Sequence, residues 1–234
     1  MNLYISRLFI TAILAFCSFQ MRAQSEVEDC VMVVLGSSTA EGSGASVKDS
    51  SWVGRYTHYL AKNSNYKLIN LARGGYTTFQ IVENGSFIPA ELNTEVDTLR
   101  NITKALTYHP SIIIINMPSN DASRGVDPAV QMKNYEAIYS KARKENIEVW
   151  ICTPQPRNFK EENKMEIIRQ MRQDITGRFG DRSIDFWSLI SAENGFILPQ
   201  YDSGDGVHLN DAGHKVLFDK MVRMNVMARS CLKK

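Results

Sequence analysis

The sequence is short of most features that announce a function outright. Its four cysteines and four histidines include no Cys-x-x-Cys and no His-x-x-x-His, so no ligand spacing of the zinc kind exists. No glycine-rich turn ends in Gly-Lys-Ser/Thr and no clean GxGxxG is present, which disfavours a phosphate cradle. Charge of either sign is not in excess, with 27 basic against 25 acidic residues, and nothing argues for nucleic acid or an anionic membrane surface as partner. Internal repeats, low-complexity tracts and long linkers are missing as well. No apolar run reaches the ~20 residues of a membrane span. What remains is a chain of 234 residues, 44% hydrophobic, suited to one domain with a sizeable core.

The first two dozen residues stand apart from that domain. Arg7 supplies a basic start, Leu8 to Phe19 is mostly apolar, and Ala23-Gln24 offers a small-residue cleavage point. This is the pattern of a secretory signal, and it predicts a signal peptide over 1–24, a single domain over 25–234, and a periplasmic or secreted protein. Lipid attachment at Cys17 is disfavoured by bulky Phe16 before it. Cleavage removes Arg7 and Arg22 and no acid, so the remaining chain is neutral. It keeps Cys30, Cys152 and Cys231, and an oxidising compartment permits one disulfide and one leftover thiol. Cys152 lies in an apolar run and reads as core. Cys30 begins the first strand at the amino edge of the sheet. The last helix returns the chain from the opposite edge and could bring Cys231 beside Cys30, with two free thiols as the alternative.

Short apolar runs alternate with helical spacings along the rest. Val31–Val34, Lys67–Ala72, Ile112–Ile115, Ile147–Ile151 and a segment near Ser183–Phe186 read as strands. Helices are predicted over Trp52–Ala61, over Val96–Leu106 with His109-Pro110 as its stop, and from Pro128 to about Glu145 with Asp127 as cap. Two more follow, over about Lys160–Phe179 and Asn210–Arg229. Strands alternating with helices predict a three-layer α/β/α sandwich around a five-stranded, mainly parallel sheet.

Two stretches carry chemistry. Leu35 to Gly44 runs Leu-Gly-Ser-Ser-Thr-Ala-Glu-Gly-Ser-Gly, directly after the first strand. It presents Ser38 at the carboxyl edge, where open α/β folds bind ligands, although taken alone it also fits a Ser/Gly turn without chemistry. Far along the chain, Asp205-Gly206-Val207-His208 spaces a carboxylate and an imidazole one turn of backbone apart. A serine hydroxyl is a poor nucleophile unless a base lies within hydrogen-bond reach, and a carboxylate beside that base fixes its tautomer. If both loops lie at one edge, Ser38, Asp205 and His208 converge. The same Asp-x-x-His also fits a plain cap, or half of a metal site with Asp202, Asp211 or His214. His58, His109 and His214 read as structural.

These residues resemble the SGNH, or GDSL-type, hydrolases, whose four blocks occur in order across nearly the whole chain after the signal. The first resembles Gly36–Gly42, with the nucleophile at Ser38. The second resembles Asn70–Thr77, with an oxyanion-hole glycine at Gly75. The third resembles Pro118-Ser119-Asn120-Asp121, with an oxyanion-hole amide at Asn120, and the last is Asp205–His208, the acid and base of a triad. Two departures stand out: Ser37 replaces the usual Asp, and Pro118 the usual Gly. The resemblance implies a flavodoxin-like fold and a serine esterase whose oxyanion hole comprises the Ser38 N–H, the Gly75 N–H and the Asn120 side chain. It implies no metal or organic cofactor. A carbohydrate acetyl ester is the implied substrate class, with lipid acyl or thioester hydrolysis as the alternative. A catalytically silent glycan-binding module on the same fold is the reading from another class.

Overall fold

A computed structural model describes residues 30–117 and 119–226. The signal peptide expected over 1–24, Pro118, Arg229 and Cys231 lie outside the described residues. Five strands, β1 (Cys30–Gly36), β2 (Tyr66–Asn70), β3 (Ile112–Asn116), β4 (Glu148–Cys152) and β5 (Ser183–Ile184), pair in parallel in the order β2-β1-β3-β4-β5. This is the flavodoxin-like doubly wound order, whose direction of winding reverses between β1 and β3. The α/β/α expectation is borne out.

The four isoleucines of β3 are wholly buried, because the central strand is covered on both faces. Alternation sorts β1 in the same way. Met32 and Val34 face the layer of α2 (Trp52–Asn63) and α7 (Asp211–Met224). Val33 and Leu35 face the layer of α3 (Ile102–Leu106), α5 (Pro128–Lys144) and α6 (Glu162–Phe179). Two short helices, α1 (Ser38–Glu41) and α4 (Asn120–Ser123), follow β1 and β3 at their carboxyl ends.

The helix expected from Val96 is corrected by the structure. It begins only at Ile102, where the Asn101 side chain accepts from the Lys104 N–H. Upstream, Asp97 accepts from the Leu99 N–H at 2.8 Å and from the Tyr76 hydroxyl, and Leu99 stays 71% exposed. Local side-chain bonds to the backbone have there outcompeted a helical ladder. The predicted cap fares better: Asp127 accepts from the Ala129 N–H, and at the start of α7 Asn210 accepts from those of Ala212 and Gly213. Cys30 is disulfide-bonded, whereas Cys152 is free and buried, and burial pushes its thiol well up.

Candidate active site

The loops leaving β1, β2, β3 and β4 meet at the carboxyl edge, outside the β1–β3 switch point. The Arg73 N–H donates to the Gly36 carbonyl and the Ser37 N–H to the Asn116 carbonyl, each at 3.1 Å. Gly42 closes α1 in the left-handed region, at φ 106°. Ser38 opens that helix and is 8% exposed. As the first helical residue it has no intrahelical partner for its N–H, and among the described residues that N–H makes no hydrogen bond. The Gly75 N–H is equally unengaged. Gly75 is exposed, at φ 83°, a backbone angle that favours glycine.

Asn120, at the start of α4, reaches across the gap. Its Nδ2 donates to the Ser37 Oγ at 2.7 Å and to the Tyr76 carbonyl at 2.9 Å, so both amide hydrogens already have acceptors. Next to it, Asp121 is buried and its carboxylate accepts from the Thr78 N–H at 3.0 Å and the Thr78 hydroxyl at 2.7 Å. Burial pushes this carboxyl up to about 6, with the Thr78 donors opposing. The second block and the residue after it are thus tied to the third at two points.

The Asp205/His208 pair forms as expected. The His208 Nδ1 lies 2.6 Å from Asp205 Oδ2, which assigns the ring proton to Nδ1 and leaves Nε2 as an acceptor. Asp205 Oδ1 accepts from the N–H groups of Val207 and His208, both at 2.8 Å. Burial would raise this carboxyl, but these donors and the imidazole carry it down to about 2.

The His208 loop rests on the Ser38 loop. A Cβ added at Gly44 would stand 2.3 Å from the Leu209 carbonyl oxygen and 2.9 Å from the His208 Cβ. Three bonds clamp the same contact. The buried His214 donates from Nε2 to the Ser43 carbonyl at 3.0 Å, while Asp211 accepts from the Ser46 N–H and hydroxyl at 2.8 and 2.6 Å. Burial pushes the His214 pKa down, in keeping with a neutral ring whose Nδ1 accepts from the Trp52 N–H. No hydrogen bond joins Ser38 to His208 among the described residues, and unliganded sites often hold such pairs apart.

The residue pattern did not single out several supports. The Gly74 N–H donates to Glu41 at 2.8 Å, Gln155 Nε2 to the Val207 carbonyl at 3.0 Å, and the Asn158 N–H to the Gly206 carbonyl at 2.8 Å. Glu41 lies within the first block, but these pairings are legible only once the loops are placed. Among the described residues no group of three or more His, Cys, Asp or Glu side chains is arranged to hold a metal ion, and no helix is long and apolar enough to cross a membrane.

The class these observations define is a doubly wound α/β/α protein with a serine turn, a carboxylate–imidazole pair and an amide side chain gathered at one sheet edge. Several solved structures share the fold. A GDSL-like lipase from Bacteroides thetaiotaomicron has a TM-score of 0.62 at 16% identity, over 94% of this chain and 96% of that one. The acetyl xylan esterase AlAXEase has 0.61 at 22% identity, over 83% and 99%. The psychrotrophic esterase EstA from Pseudoalteromonas sp., solved with monoethylphosphonate as inhibitor, has 0.61 at 18%, over 84% and 96%. No curated protein matches the chain. The profile of the GDSL-like Lipase/Acylhydrolase family matches residues 34–216, and the chain belongs to that family.

Proposed function

We propose that the protein is a serine carboxylic ester hydrolase that removes short acyl groups, acetyl above all, from a carbohydrate. In this reading the Ser38 Oγ attacks the ester carbonyl while the His208 Nε2 takes its proton, and Asp205 stabilises the imidazolium. Negative charge on the tetrahedral oxygen is met by the Ser38 and Gly75 N–H groups and by Asn120, whose Nδ2 turns one hydrogen from the Ser37 Oγ to the oxyanion. The carbonyl re-forms, the alcohol leaves with the proton held by His208, and water hydrolyses the acyl-enzyme through the same base. The observation that carries the reading is the 2.6 Å Asp205–His208 bond, on a loop pressed against the one that bears Ser38.

A polar alcohol is supported by the rim of the site, where Arg73, Arg124, Arg157 and Asn158 are all at least partly exposed. Residues 1–24 are the proposed signal peptide and 25–234 the hydrolase domain, exported to the periplasm or beyond. The disulfide-bonded state of Cys30 supports an oxidising compartment. Lipid acyl hydrolysis is the second reading, favoured by one observation. The irregular segment between Gln80 and α3 carries two exposed apolar side chains, Phe87 at 85% and Leu99 at 71%.

An organophosphonate should label Ser38 alone, as mapped by peptide mass. Ser38→Ala should abolish both labelling and ester hydrolysis while leaving the melting temperature near that of the wild type. Labelling at Ser37 would overturn the assignment. Across nitrophenyl esters, kcat/KM should peak at acetate. An apolar acyl tunnel would instead gain about 0.8 kcal/mol per buried CH₂, so values rising to octanoate would move the reading to lipid substrates.

A further inference from the structure

Arg157 is a cation held in place without an anion. It leaves β4 through Thr153-Pro154-Gln155-Pro156 and ends half-buried between two of the motif loops. Its Nη1 lies 3.4 Å from the Ser119 Oγ, one residue before Asn120. On its other side, the Asn158 N–H is bonded to the Gly206 carbonyl of the Asp205–His208 loop. The guanidinium Cζ sits 4.7 Å over the Phe159 ring.

The two carboxylates near Arg157 are both committed elsewhere. Asp205 spends its oxygens on the His208 ring and on the Val207, His208 and Ser203 donors. Glu161 pairs with Lys164 at 2.9 Å. None of the ion pairs among the described residues includes Arg157. Burial works against its charge, and pushes its pKa down although Asp205 and Glu161 oppose that. A partly desolvated, unpaired guanidinium is costly unless something else supplies the anion. Its planar fork is matched to a carboxylate.

We propose that Arg157 is a specificity-determining residue that binds a carboxylate on the alcohol portion of the substrate, as in an ester of an acidic sugar. The alcohol side is assigned because Arg157 borders the His208 loop, and in the proposed mechanism His208 delivers the proton to the departing alcohol. The carbonyl oxygen is bound by other groups, at Ser38, Gly75 and Asn120. This inference rests on the ester-hydrolase reading above.

The test compares 4-acetoxybenzoate with its neutral methyl ester, which share the aryl acetate and differ in the charge. The wild type should favour the anionic ester by on the order of 10-fold or more in kcat/KM at low salt, mostly through KM, the size expected of a charge-assisted hydrogen bond. Arg157→Gln should erase that preference, with an effect on the methyl ester at least tenfold smaller. Arg157→Lys, which keeps the charge and loses the fork, should fall between. Arg178→Gln, at a surface ion pair with Glu136 on α5, should leave the preference intact. Equal use of both esters by the wild type overturns the proposal without needing any variant. So does an equal loss on both esters in Arg157→Gln, which would mark a packing role. Turnover of neither ester, with Ser38 unlabelled by phosphonate, overturns the hydrolase reading together with it.

Discussion

At the scale of single residues, the most informative contact is the one between Ser37 and Asn120. Where the resembling family carries an acid, this chain has a buried hydroxyl that accepts from the amide it would otherwise leave unanchored. Asn120→Ala should lower kcat by on the order of 10²–10³ with little change in KM, the usual cost of one oxyanion donor. Ser37→Ala should lower kcat by roughly tenfold, since it frees the amide without removing it. The double variant should be no worse than Asn120→Ala alone, because the two groups act as one unit. Additive losses in steady-state kinetics would show that they act separately.

Asp121 and Asp205 carry opposite signs of pH dependence. The buried Asp121 has its carboxyl raised to about 6, so the native state holds that proton more tightly than the unfolded chain does. Its contribution to stability is full below the ordinary carboxylate value and is lost as pH rises towards 6, on the order of 3 kcal/mol in all. Asp205, lowered to about 2, contributes above the ordinary value and loses that contribution as pH falls through 2. Urea titrations from pH 4 to 7 should show a shallower, or reversed, decline of stability in Asp121→Asn relative to wild type.

At the scale of elements, the site depends on how closely two loops approach. Gly44 sits at φ 86°, and its Cα faces the Leu209 carbonyl with no room for a methyl group. Gly44→Ala must therefore push the His208 loop away from α1. It should cost activity by 10²-fold or more, since misplacement of about 1 Å is enough for such a loss, while Asp205 and His208 keep their mutual bond. A variant with wild-type turnover would show that this contact does not set the catalytic geometry. The same scale explains the shortened helix before β3. Its predicted first turn reads as apolar at helical spacing, yet Asp97 and Asn101 offered the backbone local partners and the chain took them.

At the scale of the whole molecule, the strand order gathers residues from both ends of the chain. Ser38, Asn120 and His208 are spread over some 170 positions, and the switch between β1 and β3 opens a crevice beside the first two. The chain termini raise a separate question. Cys152 is free and Cys30 is disulfide-bonded, so non-reducing peptide mapping of exported material should recover Cys30 linked to Cys231. Two free thiols there would remove the argument for an oxidising compartment.

Local pattern was enough for the five strands, the long helices with the Asp127 cap, and the residues at each strand exit, because burial on two faces and capping leave signatures within a few positions. It was also enough to pair Asp205 with His208, which are only three residues apart. It could not reveal that both hydrogens of Asn120 are engaged, that Gly44 bears the contact between the serine and histidine loops, or that Arg157 lacks an anion. Those facts depend on the meeting of segments 38 to 165 residues apart. The sheet brings these segments together, and only their packing decides which polar group is left without a partner.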